Sequence, residues 1–359
     1  MSEKAFGSPQ AYPSFIPALR IPQKAPACVV SGGKSIFGAF DGPIANVNLC
    51  DAKSPVSPWL PDFLKGIKLK EWEAYEVSFD EGFLCGAIYD LGPAVFNIMI
   101  FYDKAAKAVT ARQVFGAPRK CVPNSLINSK SRLKTGAFTA SIDNRFQDGL
   151  VYINSVYSPS SSGKIPMSAH LKFTSCSSPT VTVMPLGENR PLYTHKELFR
   201  AEGAITIGNR VYKMNENSLG IIDDHKGYYP HDMHYDWITC MGFSQGRTLG
   251  LNLCRNQAED PELYSENVLW LDKELHLLPP VRFEHMSDGS WHISDEHGTV
   301  SLDFEIGDSF CLHKRMPFIS ADYTAPYGQL RGHVVTNSGE TICLDGFTAM
   351  GEDISYIML

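Results

Sequence analysis

The chain lacks most of the features by which a sequence declares its class. Nine cysteines are scattered through 359 residues with no C-x-x-C pair. Their odd number and irregular spacing exclude a disulfide framework and a zinc knuckle, and point to reduced, mostly buried thiols in a cytoplasmic protein. No basic stripe relieves the net charge of −7. Nucleic acid and anionic membranes, which bind by releasing counterions to lysine and arginine, are therefore not expected partners. The longest apolar run, around Ala94 to Phe101, falls far short of the about 20 residues that cross a bilayer. Met1 to Pro26 has prolines and mixed charge but no apolar core, so no signal peptide is read there. Ser31-Gly32-Gly33-Lys34-Ser35 ends like a phosphate-binding loop. The position where such a loop needs its first glycine holds Cys28, however, and no βαβ pattern surrounds it, so the stretch reads as a flexible turn. Amphipathic helices of three turns are missing too; His195 to Arg200 is expected to make one short helical turn at most.

What is present is period-two alternation. Val300, Leu302, Phe304 and Ile306 share one face of a strand, with Ser301, Asp303 and Glu305 on the other. Glu73 to Phe79, Phe83 to Tyr89, Ala94 to Tyr102 and Val109 to Phe115 are separated by short polar turns and read as an antiparallel meander. Gly208-Asn209 and Asn337-Ser338-Gly339 are hairpin signals between strand-like runs. A chain of this length exceeds the usual single core. The expected fold is all-β: two antiparallel β-barrel or sandwich domains, with a boundary near residue 195 that separates 1–195 from 196–359.

The densest chemistry lies in the fifteen residues Asp223 to Trp237, which hold three histidines, four aspartates and four aromatics around a Gly227-Tyr228-Tyr229-Pro230 turn. Residues 231 to 239 read as a strand with His231, Met233, Tyr235 and Trp237 on one face and Asp232, His234 and Asp236 on the other. Either row lines a cavity, with aromatics to stack a ligand and His or Asp to move protons, or the sheet simply packs one face and solvates the other. A one-residue slip exchanges the rows, so alternation alone does not choose between them. A metal reading through His231, His234 and Asp236 fails to bring all three to one face, and no metal is expected.

Further along, Leu249, Leu251 and Leu253 alternate with Gly250, Asn252 and Cys254, whose small size suits a ligand or a crowded sheet crossing. Glu266-Asn267 opens the apolar run Val268 to Leu271. Near the first meander, Trp72 reads as a core or inter-domain anchor and Glu71 as an exposed carboxylate. Short connections set the 231–239, Asn252 and post-Glu266 strands side by side, about 4.8 Å apart. The candidate site is accordingly placed in the C-terminal half. Asp224, His231 and Glu266 are its acid–base groups; Tyr228, Tyr235, Trp237, Asn252 and Asn267 are its ligand contacts.

In order and spacing, Asp223-x-x-x-Gly227-Tyr228-Tyr229-Pro230, Tyr235-x-Trp237, Gly250-Leu251-Asn252 and Glu266 to Asp272 resemble the signature run of the domain-of-unknown-function family 2804. Lys70-Glu71-Trp72 and Gly38 to Asn46 resemble its N-terminal half. Tyr235 stands where that run has a tryptophan, and His231 and His234 are additions to it. The family is similar in architecture to the AttH and carotenoid hydratase (hydroxyneurosporene synthase) group, whose members have two lipocalin-like β-domains with a pocket between or within them. The resemblance implies an enzyme that hydrates, dehydrates or cyclises a largely apolar or polycyclic small molecule by acid–base chemistry, with no cofactor. The residues themselves leave open a non-catalytic carrier of a hydrophobic molecule and a carbohydrate-processing enzyme with paired carboxylates.

Overall fold

Period-two alternation does generate strands almost everywhere. The computed structural model describes residues 20–59, 61, 64–160, 163–316 and 319–358, and it is nearly all β, 60% strand and 4% helix. Ten strands follow one another by hydrogen bonding in the first sheet. Their order is Ala108–Gly116, Val95–Asp103, Gly82–Asp90, Lys70–Phe79, Leu219–Gly227, Pro191–Ile207, Met167–Ser175, Leu150–Tyr157, Phe138–Arg145 and Ser129–Thr135. The sheet curls into a nearly closed barrel. Across the remaining gap the Asn97 amide donates to Leu133 O and to Thr135 Oγ1, both at 3.1 Å. The second sheet is a half-barrel built around Arg247–Arg255, Asp232–Ser244, Thr348–Met358, Ile319–Val335 and Val300–Met316 in that order. The molecule thus has two β-units, one on each sheet.

Alternation divides most of the buried apolar residues among three larger cores. Val77, Phe138, Phe173 and Phe199 fill the barrel. Leu251, Leu269, Trp291 and Phe304 fill the half-barrel. Between the sheets lie Trp72, Phe83, Leu198, Trp237, Trp270 and Tyr327. Gly250 belongs to this seam: a Cβ there would stand 3.0 Å from Leu198 Cδ1 and 3.1 Å from Trp270 Cε3. Its small size serves a tight sheet crossing.

The expected meander is present as four consecutive antiparallel strands. Ile207 pairs with Arg210 around the Gly208 turn, and Val335 with Thr341 around the Asn337 turn. Ser31 to Lys34 is a tight hairpin turn whose Gly32 and Gly33 take φ of 58° and 82°, a conformation that glycine adopts without steric cost. Two expectations need correction. His195 to Arg200 is not helical but lies within the 17-residue strand Pro191–Ile207, where charged side chains on both faces mask the alternation. Residue 195, expected at the domain boundary, therefore sits inside a strand of the first sheet. The chain changes sheet later, between Gly227 and Asp232.

Trp270 spans the seam. It is fully buried, and its indole N–H donates to Ser178 O at 2.9 Å. Trp270→Ala is expected to cost roughly 3–5 kcal/mol through the cavity and the lost anchor, read as a lowered urea midpoint with the far-ultraviolet spectrum of the native state retained.

Candidate functional site

The site grows from three neighbouring strands of the first sheet, Lys70–Phe79, Leu219–Gly227 and Pro191–Ile207. Cα register sets Lys196 opposite Asp223, and His225 opposite Trp72. One residue along, it aligns His195, Asp224 and Glu73 in a row. Because successive side chains point to opposite faces, Asp223 and His225 face the second sheet while Asp224 and Lys226 point into the barrel. The same strands thus carry two polar clusters, back to back.

The cluster facing the second sheet is almost wholly buried. Lys196 Nζ donates to Asp223 Oδ2 at 2.5 Å and stands 3.7 Å from Glu266 Oε2. His225 Nε2 lies 3.0 Å from Asp223 Oδ1 and 3.5 Å from Glu266 Oε2. The His225 ring stacks on Trp72, centroids 4.7 Å apart and planes at 10°, and its Nδ1 is 3.3 Å from the Tyr229 hydroxyl. Lys196 Nζ sits 5.1 Å from the Trp237 ring centre, a cation–π distance. From the second sheet, Glu352 accepts hydrogen bonds from Tyr235 at 3.0 Å and from Tyr323 at 2.7 Å.

These surroundings drive the carboxyls apart. Lys196 and His225 outweigh burial at Asp223 and hold it far below the usual carboxylate range. Burial raises Glu352 despite its two tyrosine donors. Burial, reinforced by Asp223, raises Glu76 well above its ordinary value. No N–H or O–H among the described residues donates to either oxygen of the buried Glu266.

Above this cluster opens a cleft of about 490 Å³ between the sheets, walled by Tyr89, Phe96, Phe115, Met233, Leu312 and Tyr356. Trp72 and Tyr235 border both the cleft and the small recess that holds Lys196, Asp223, His225, Glu266 and Glu352. An apolar ligand in the cleft would therefore end at an array of proton donors and acceptors.

The barrel-side cluster is a separate network. Glu73 accepts from Asn144 at 2.7 Å and from Ser131. Lys226 donates to Glu71 at 3.3 Å, and Glu71 also pairs with the half-exposed Lys120. Asp224 lies 3.9 Å from Lys226 Nζ, and neither of its oxygens accepts a hydrogen bond. Burial pushes Asp224 up to about 7 and its neighbour Glu73 up to about 6; Lys226 opposes the first shift, the Ser131 and Asn144 hydrogen bonds the second. Glu71, expected to be exposed, is only 4% exposed, because Lys226 and Lys120 satisfy its charge.

Of the residues predicted from sequence, Glu266, Tyr235 and Trp237 border the recess. Asn252 lies just behind it: it accepts from Trp237 Nε1 at 2.7 Å and donates to Glu266 O at 2.9 Å, fixing both. Asn267 accepts from Cys254 N and donates to Pro279 O, a brace for the strand rather than a cleft contact. Tyr228 is buried against the N-terminal segment, its hydroxyl 3.6 Å from Cys50 Sγ. Asp224 faces the barrel. His231 is exposed, one residue before the strand Asp232–Ser244, and lines neither cavity. His225 stands in the place expected for it. Lys196, Glu76, Glu352 and Tyr323 were missed. Lys196 had a signal in the broken rhythm at 195–197, whereas Glu352 and Tyr323 reach the site only through long-range pairing.

On the far face of Asp232–Ser244, His234, Asp236 and Asp353 bring potential ligand atoms within 4.8 Å of one another. Arg255 already pairs with Asp236 and places Nη2 2.9 Å from His234 Nε2. That guanidinium fills the position a cation would need, so the set does not fit a metal.

The chain belongs to the DUF2804 family, a domain of unknown function whose model matches residues 20–356. No curated protein matches the sequence. Among solved structures, kievitone hydratase from Nectria haematococca aligns at 9% identity with a TM-score of 0.46, over 88% of this chain and 96% of that one. A protein of Nitrosomonas europaea described as AttH aligns at 12% identity with a TM-score of 0.43, over 79% and 91%.

The barrel-side carboxyls make stability depend on pH. A carboxyl with a higher pKa folded than unfolded holds extra protons in the native state between the two values. Stability is then lost as pH rises from about 4 to about 7. Asp224→Asn removes the buried charge and is expected to raise the thermal midpoint at pH 8 but not at pH 5. The difference between the two pH values should be on the order of 2–3 kcal/mol, checked by calorimetry at both.

Proposed function

We propose that this DUF2804 protein is an acid–base enzyme of the hydratase or lyase class, adding water to, or removing it from, a largely apolar small molecule held in the inter-sheet cleft. The observation that carries the reading is the opposed protonation of carboxyls around one recess: Asp223 ionised by Lys196 and His225, and Glu352 held toward its neutral form. Such opposition lets one group act as acid and another as base at the same pH.

In the hydration direction, the Glu352 carboxyl gives a proton through Tyr235 or Tyr323 to one carbon of a C=C bond. The O–H bond breaks, a C–H bond forms from the π electrons, and the neighbouring carbon is left electron-deficient. The faces of Trp72 and Tyr89 attract that developing positive charge. A water oxygen bonds to the carbon while its proton passes to His225, which Asp223 and Glu266 hold in place. Return of that proton to Glu352 completes the cycle, and dehydration runs the same steps in reverse. A carrier has no use for carboxyls driven apart in this way. A sugar would leave its hydroxyls unpaired against the aromatic walls.

The test is incubation in ¹⁸O-labelled water with a panel of aromatic and isoprenoid alkenes, followed by mass spectrometry of the products. Labelled alcohol is expected. Glu352→Gln and Glu266→Gln should each lower its rate about a hundredfold or more with the thermal midpoint nearly unchanged. If alkenes bind and are released unlabelled, the protein is a carrier and the enzyme reading is overturned.

A further inference from the structure

Two lysines border the largely aromatic and aliphatic cleft, one from each sheet: Lys70 on Lys70–Phe79 and Lys314 on Val300–Met316. Among the described residues, no carboxylate oxygen comes within 4.0 Å of either ammonium. The one acidic side chain on the cleft wall, Asp322, is already held by Arg315 at 2.7 and 2.9 Å and by His313 at 2.8 Å. The wall of the cleft is therefore left with two ammonium groups that no carboxylate contacts. Lys70 is 3% exposed, and its Nζ is fixed by donation to Leu91 O at 2.5 Å and Ile67 O at 3.1 Å. An ammonium has three N–H bonds, so one remains for a ligand. A buried ammonium without a counter-ion is costly, and an anion arriving with the ligand would remove that cost.

The recess offers an anion no such partner. Its Lys196 and His225 are already taken up by Asp223 and Glu266. Lys70 shares its strand face with Trp72, two residues away, and borders the cleft but not the recess. The two ends of the cleft thus differ: one presents an ammonium that no carboxylate contacts, the other cations that carboxylates already hold.

We propose that the cleft takes an amphipathic carboxylate, its apolar body lying on the aromatic walls with the reactive end at the recess, and its carboxylate bound by Lys70 with Lys314 adding to the attraction. The inference rests on the cleft being the ligand site of the proposed function and names the class of its occupant. Burial lowers Lys70 to about 8; Lys68 adds to that shift and Asp90 opposes it, while Lys314 and Asp322 are the other charged groups on the cleft wall. Binding of the carboxylate should consequently weaken as pH rises through and above 8.

A matched pair of fluorescent probes tests this on the full chain: cis-parinaric acid and its methyl ester, titrated at pH 7. The acid is expected to bind about tenfold more tightly than the ester, as a charge-assisted hydrogen bond provides. Lys70→Met should abolish that advantage while leaving ester binding intact, which also reports that the variant is folded. In the unaltered protein, raising the pH from 7 to 9.5 should erode acid binding and leave the ester unchanged, an independent readout if Lys70→Met does not fold. Equal affinities for acid and ester at pH 7, or an acid preference that survives Lys70→Met, would overturn the inference alone. If neither probe binds, the cleft is not the ligand site and the proposed function falls with it.

Discussion

The interaction on which the rest of the structure depends is the buried pair of Lys196 and Asp223, on adjacent strands at the seam of the two sheets. Taking a lysine and an aspartate out of water costs several kcal/mol per ion, and their attraction recovers it only with good geometry and further partners. The surroundings supply them: His225 on Asp223, Glu266 near Lys196, and the Trp237 ring beneath the ammonium. Apolar residues of similar size would hold the two sheets together at least as well. Stability alone therefore does not account for the pair, whereas the proposed acid–base function, which uses one ionised and one neutral carboxyl in the same recess, would.

Strand alternation extends that demand to the other face. The sequence Asp223-Asp224-His225-Lys226 places two titratable residues on each side of a central strand, so the barrel interior must also accommodate polar groups that face it. It does so only in part. Glu71 and Lys226 pair, Glu73 is hydrogen-bonded, and Asp224 remains unsatisfied with its proton largely retained. One run of four residues thus creates a seam cluster fit for chemistry and a barrel cluster whose charge opposes folding above neutrality.

This double-sided polarity also decided what could be read from the sequence. Where one face was apolar, the strands, the meander and the hairpins were legible, because period two survives when only one side is wet. At 195–197 and 223–226 both faces are charged and buried, the rhythm vanished, and the stretch looked like a helical turn beside a polar loop. Alternation therefore gives Asp223 and His225 no facing, and His231, on the readable strand that follows, takes the histidine's place among the expected acid–base groups. Tyr235, Trp237, Asn252 and Glu266 come together, since three strands in sequence leave few ways to arrange them, while the facing of the 231–239 strand stays open to alternation alone. Glu352 and Tyr323 carry no local signal at all. They join the site through Thr348–Met358, which pairs with both Asp232–Ser244 and Ile319–Val335, a hundred residues or more along the chain from Asp223.

The position of the cleft follows from how the other spaces are used. A small β-barrel can hold its ligand inside, but here Phe138, Phe173 and Phe199 occupy the barrel and Leu251, Leu269 and Phe304 the half-barrel. The seam is where the aromatic side chains leave room. Its walls come from both units: Lys196, His225 and Trp72 from the first sheet, Glu266, Glu352 and Tyr235 from the second. Neither unit alone contains both Asp223 and Glu352. The tight crossing at Gly250 and the Trp270 anchor that join the sheets therefore also set the geometry between these two carboxyls.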